Sequence, residues 1–96
     1  MENRVALTGT LAELAALRYT PAGLPALDLR IEHSSQQAEA GSQRSVTASV
    51  KAVAFGPLAE KLARQAPGSQ WRFQGFLATP RNTKMLVLHI QDIQQN

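Results

Sequence analysis

Asn3-Arg4-Val5-Ala6-Leu7-Thr8-Gly9-Thr10-Leu11, read with Pro21-Ala22-Gly23-Leu24-Pro25 and Ile31-Glu32-His33-Ser34-Ser35, decides how this 96-residue chain folds. Val5, Leu7 and Leu11 alternate with small or polar residues, the period-two signature of a strand with one buried face. Gly9 falls on the buried side of that alternation, where a strand needs a close backbone approach or a sharp bend. Strands that coil strongly to close a small barrel have that need.

The remaining elements follow from the same reasoning. Ala12 to Leu17 reads as strand end and loop, and Pro21, Gly23 and Pro25 punctuate that loop. Leu27, Leu29 and Ile31 alternate with Asp28, Arg30 and Glu32 in a half-buried second strand. Ser35 to Gln43 is small and polar, with Gly41 near its far end, and reads as a flexible connection between two strands. Val46, Ala48, Val50, Ala52 and Ala54 form the longest alternation, with Ser45, Thr47, Ser49 and Lys51 on the opposite, polar face. Pro57 suits a first helical turn, Leu58, Leu62 and Ala66 share one helical face, and Pro67-Gly68 stops the helix. A helix is therefore expected near Leu58 to Arg64. Trp71, Phe73 and Leu77 alternate through a fourth strand bent at Gly75. Arg81-Asn82-Thr83 makes a turn, and Leu86, Leu88 and Ile90 face inward from a fifth.

Three strands, a helix and two strands is the order of an OB-fold, an all-β five-stranded Greek-key barrel with one short helix between strands 3 and 4. Its second and third strands, with the loops joining strands 1–2 and 4–5, hold oligonucleotides. The length leaves room for one domain, residues 1–96, and favours added stabilisation by oligomerisation.

Composition excludes several classes. No apolar run approaches the ~20 residues of a membrane span, and the N-terminus lacks a signal-peptide core. The chain has no cysteine, so neither a disulfide framework nor a thiolate metal site is available, as fits a cytoplasmic protein. His33 and His89 lie far apart and lack the partners of a zinc site. No serine sits in a nucleophile elbow, and no phosphate-loop or dinucleotide glycine pattern occurs. No enzymatic activity, metal or cofactor is expected.

Charge is uneven. Residues 1–48 carry four basic and five acidic groups, a balance of −1, and residues 49–96 six basic and two acidic, a balance of +4. A solvated surface explains that as well as a phosphate-binding face does. Position says more. Arg18 falls in the loop between strands 1 and 2, Arg30 points outward from strand 2, and Arg44 and Lys51 frame the polar face of strand 3. Arg81 and Lys84 lie between strands 4 and 5. Aromatics are scarce. Phe73 and Trp71 share the inward parity of strand 4, which leaves Phe76 and Tyr19 as the candidates for stacking on bases.

The N-R-x-x-L-x-G opening, the P-x-G-x-P loop, Glu32-His33 with Ser35, Glu39-Ala40-Gly41, Gln74-Gly75-Phe76 and Val87-Leu88-His89 run in one order. In them the chain resembles the primosomal replication protein N (PriB) family, relatives of bacterial single-stranded DNA-binding protein. The resemblance covers nearly the whole chain. It implies an OB-fold that binds single-stranded DNA with little sequence preference. It also implies an accessory role in replication restart, bridging DNA to the primosomal helicase and other primosome proteins, and a homodimer. An open barrel edge gives the dimer a physical reason, and Met1 to Leu7 is the edge expected to pair. DNA-binding residues would be Arg18, Arg30, Arg44, Thr47, Lys51, Phe76, Arg81 and Lys84.

Enteric members carry an aromatic on strand 3 where this chain has Thr47, and another in the preceding loop where it has Ser42. Their loop between strands 4 and 5 is longer and richer in lysine. Binding here is therefore expected to lean on cations, since each lost stacking platform forfeits roughly 1–3 kcal/mol. Rival readings are an OB-fold adaptor that mainly binds protein, favoured by the shortage of aromatics, and a general single-stranded DNA-binding protein. The latter is disfavoured because the chain ends at Asn96, without an acidic-tipped tail. A cold-shock RNA binder would need aromatic-rich motifs that are missing.

Overall fold

The alternation that begins at Val5 becomes the strand from which the barrel is built. A computed structural model of the chain describes residues 1–95. Its elements are β1 (Val5–Leu14), β2 (Arg18–Tyr19), β3 (Pro25–Glu39), β4 (Ser42–Phe55), α1 (Pro57–Ala63), β5 (Gln70–Ala78) and β6 (Val87–Gln95). β1 pairs with β5 from Val5↔Gly75 to Thr10↔Gln70, then crosses to β3 from Thr10↔Glu32 to Leu14↔Leu29 through a bulge between Leu11 and Glu13. That crossing closes the sheet β1-β5-β6-β4-β3 on itself. β4 and β6 run parallel through Ala52↔Leu88 and Val53↔His89. The result is the expected five-stranded OB barrel, with β2 a two-residue addition paired only to β3.

Glycine sits where two backbones nearly touch. A Cβ on Gly9 would lie 2.6 Å from Ile31 Cγ2 and 2.7 Å from the Glu32 carbonyl oxygen, at the point where β1 changes partner. A Cβ on Gly75 would run into the His89 carbonyl, beside the bulge in the β5–β6 pairing. That bulge shifts the parity of β6. Ile93 therefore joins Leu88 and Ile90 in the core, a burial that simple alternation does not anticipate.

The core is apolar throughout. Leu11, Leu27, Ile31, Phe73 and Leu88 are fully buried inside the barrel, and Ala59 and Leu62 of α1 pack into the same cluster. Pro57 opens the helix after Gly56, whose φ of 71° serves the turn. The helix ends at Ala63, so Ala66 lies beyond it rather than on its apolar face. Leu86, expected to point inward, is 59% exposed because β6 begins one residue later.

The largest departure from expectation lies between β3 and β4. Ser35 to Gln43 is no flexible connection. The pairing runs unbroken from Ala26↔Phe55 out to Glu39↔Ser42 and reverses at Ala40 (φ 52°) and Gly41 (φ 79°). Positive φ at both central residues makes this a two-residue hairpin turn whose twist matches the strands. Residues 36–45 are all exposed, so the arm projects from the barrel and carries no apolar alternation to betray it. Its side chains pair instead: Gln36 Nε2 donates to Ser45 Oγ at 2.8 Å, and Arg44 Nη1 to Glu39 Oε1 at 2.8 Å.

Candidate nucleic-acid interface

The outer face of β3 and β4 carries the sequence candidates in rows set by register. Arg30 lies directly across from Lys51, Asp28 across from Val53, and Ser34 across from Thr47. Strand rise of about 3.3 Å per residue separates neighbouring rows by about 7 Å. Arg30 and Lys51 line one groove of about 450 Å³ with Glu13, Asp28, Pro80 and Thr83. The β1–β3 side and the loop between β5 and β6 thus meet at a single cleft, as an OB-fold oligonucleotide site requires. Thr47 stands one side along, beside a cavity of about 350 Å³ shared with Gly9, Glu32 and His33.

Arg44 does not belong to that row. Its even position puts it on the side of Val46, Ala48 and Val50, opposite to Thr47 and Lys51, and it sits on the arm, across from Gln37. Arg81 and Lys84 are exposed in the β5–β6 loop.

Sequence reading finds the cations but not their partners. Arg18 donates from Nε to Asp28 Oδ2 at 2.8 Å and from Nη2 to Oδ1 at 3.2 Å. The hydrogen bond and charge of Asp28 raise the Arg18 pKa above its ordinary value. Arg30 Nη2 donates to Glu13 Oε1 at 2.9 Å, Nη1 reaches Ser49 Oγ at 3.3 Å, and the same guanidinium pairs with Glu32. Arg44 pairs with Glu39 at 2.8 Å. Among the described residues, Lys51, Arg81 and Lys84 make no ion pair. Four carboxylates (Glu13, Asp28, Glu32 and Glu39) thus hold three of the six candidate cations. Finding the Arg30–Glu13 pair from sequence would need the register across the β1–β3 bulge, and the Arg18–Asp28 pair the short β2–β3 pairing.

The flat surfaces are a second omission. Phe76 stacks on His89 with ring centroids 4.9 Å apart and planes 15° from parallel. The Phe55 ring lies 6.0 Å from the same His89 ring, tilted by 31°. Phe55 shares the outward parity of Lys51, and His89 is opposite in parity to buried Leu88 and Ile90. Those parities were readable; the parallel β4–β6 pairing that assembles them was not. Tyr19 is exposed on β2, across from Pro25. Trp71 is half-buried against the core, in keeping with its inward parity, and donates its indole N–H to Ser69 Oγ at 2.9 Å.

His33 is held by ordinary hydrogen bonds, Nδ1 2.7 Å from the Thr8 carbonyl and Nε2 2.8 Å from Ser35 Oγ. No three His, Cys, Asp or Glu side chains gather to hold a metal among the described residues. No helix among them is long and apolar enough to cross a membrane. The arrangement offers hydrogen bonds, cations and ring faces.

Comparison with known proteins places this geometry. A family model described as another single-strand binding protein family matches residues 3–92. The replication restart protein PriB of Nitrosomonas europaea is 42% identical over 91 residues, spanning 94% of this chain and 84% of the relative. A solved structure of PriB from Ralstonia solanacearum has a TM-score of 0.91 at 40% identity, covering 99% of this chain and 98% of that one. A deletion mutant of the single-stranded DNA binding protein from Thermus aquaticus has a TM-score of 0.77 at 26% identity, covering 97% of this chain and 49% of that one.

Proposed function

The chain belongs to the PriB family of single-strand-binding-like proteins, and on that premise we propose that it binds single-stranded DNA in replication restart. Proteins of this family are DNA-binding proteins and not enzymes, so its work is binding and hand-over. The observation that carries the site is the convergence of Arg30, Lys51 and the β5–β6 loop on one groove, with Phe55 of the Phe55–His89–Phe76 cluster two rows along β4 from Lys51.

The strand would run along β4 from Thr47 past Lys51 to Phe55. Lys51, Arg81 and Lys84 meet phosphates first, Arg18 and Arg30 flank the path, and Phe76 with its neighbours offers ring faces to bases. Arg44 would touch only DNA that extends onto the arm. Three free cations imply a log K against log salt slope of about −2, at about −0.7 per phosphate neutralised in single strands.

We assign the protein a bridging role between DNA and the primosomal helicase, within the cytoplasm and as a homodimer. The edge supports the dimer. Val5 to Leu7 is bonded to β5 on one side, while the Thr8 carbonyl already meets His33 and pairing with β3 begins at Thr10. The other side of that segment is a row of backbone groups suited to a second copy. Sedimentation at micromolar concentration tests it: a dimer is expected, and a monomer would remove this part.

A second reading, an adaptor that binds protein more than DNA, draws on the ion-paired state of Arg18, Arg30 and Arg44. Fluorescence titration with single-stranded oligonucleotides of graded length, at two salt concentrations and beside titration with the helicase, separates the readings. Salt-sensitive micromolar or tighter DNA binding supports the first. Helicase binding without DNA binding supports the second.

A further inference from the structure

The groove that gathers Arg30 and Lys51 also gathers Glu13 and Asp28, so its own lining is electrically balanced. The carboxylates are not spectators. Asp28 takes two N–H groups of Arg18, Nε and Nη2, in the forked geometry with which arginine grips a phosphate. Glu13 takes Nη2 of Arg30 at 2.9 Å, and Glu32 occupies Nη1. A phosphate entering this cleft meets arginine donors already in use and two negative charges at the walls.

We infer that Glu13 and Asp28 are competitors for phosphate built into the groove, setting how weakly and how reversibly it takes a polyanion. This rests on the nucleic-acid reading above. Binding at Arg18 and Arg30 is then an exchange in which a phosphate oxygen replaces a carboxylate oxygen. Lys51, Arg81 and Lys84 bind without exchange. The pairs are solvent-exposed, with Asp28 and Glu13 side chains 53% and 72% accessible, so each is weak enough to open. The opposite role for the same contacts is positioning, in which the carboxylates hold the guanidinium groups ready for DNA. The two roles differ in sign.

The test compares three proteins by anisotropy of a labelled oligothymidylate at two salt concentrations. They are the parent, Glu13→Gln/Asp28→Asn, and the control Glu60→Gln/Asp92→Asn, which changes net charge equally on exposed residues outside the groove. The groove variant is expected to bind about three- to fivefold tighter at low salt, within the worth of the exposed pairs it removes. Its salt slope should steepen by about 0.7 for Arg18, which Asp28→Asn frees outright, while Arg30 keeps Glu32. The control should gain less than about twofold, since distant exposed charges are screened. An equal gain in the control overturns the inference, because net charge alone would explain it. Weaker binding by the groove variant also overturns it, in favour of positioning. A parent that binds, with no gain in the variant, sinks this inference alone; no binding by either sinks the DNA reading with it. Asp28→Asn alone, which touches only the Arg18 fork, serves should the double variant melt early.

Discussion

The β3–β4 hairpin is one ladder with two very different halves. From Pro25 to Ile31 and from Val50 to Phe55 its inward side chains are part of the sealed core, with Leu27, Ile31 and Ala54 fully buried. From Gln36 to Ser45 the same ladder continues with both faces in water. Backbone bonds are common to both halves, so the difference isolates what burial adds. The barrel half is a rigid platform, and its outer face holds the groove and the aromatic cluster. The arm rests on its turn and polar side-chain pairs, exposed contacts that contribute little each. Positions that must hold a ligand in register belong on the first half.

The comparison breaks most visibly in stability. Phe73→Ala removes the largest fully buried side chain and should cost about 3–5 kcal/mol, against less than about 0.5 kcal/mol for Gln36→Ala on the arm. Chemical denaturation reads both, and similar losses would mean that the arm is as much a part of the cooperative unit as the core.

Binding should divide the halves next. Phe76→Ala or Phe55→Ala should weaken single-stranded DNA binding by about 1–3 kcal/mol for each stacked base lost. Thr47→Trp, at the start of the arm, should tighten it by up to a similar amount without steepening the salt slope. No effect from either aromatic deletion would remove the cluster from the path. A Thr47→Trp variant no tighter than the parent would end the path short of Thr47.

A smaller contrast separates the cations. Lys51→Glu should weaken binding by several-fold more than Arg44→Glu, because Lys51 is unpaired in the groove while Arg44 is tied to Glu39 on the other side of the strand. Lys61→Glu on α1 sets the baseline. Equal losses at all three would reduce the interface to net charge.

Those contrasts also show what could be read beforehand. Alternation exposed every strand that buries a face: Leu27-Leu29-Ile31 and Val46 through Ala54 lie where a period of two places them. The arm escaped because its residues bury nothing, and a hairpin held by backbone pairing leaves no apolar period. Arg18-Tyr19 is too short to show one, and Ile93 is displaced by a bulge. At the interface, residue types were legible and partners were not. Arg30 announces a cation, but Glu13 reaches it only because β1 bulges between Leu11 and Glu13. His89 reads as an ordinary strand histidine until the parallel pairing sets Val53 beside it.

The smallest expected effect lies in the turn. Ala40 sits at φ 52°, where a Cβ is strained by roughly 1–2 kcal/mol, so Ala40→Gly should stabilise the arm by a few tenths to about 1 kcal/mol after the unfolded-state entropy of glycine is set against it. Amide exchange from residues 36–45 should slow. Faster exchange would contradict the tight two-residue turn.

DNA is expected on the outer face of the barrel half of this hairpin. Backbone NMR with a short oligothymidylate tests it most directly, by which amides shift on titration. The largest shifts are expected at Arg30, Lys51, Val53, Phe55, Phe76, His89 and residues 81–84, fading along the arm beyond Thr47. Shifts confined to residues 36–45, or to α1, would contradict it.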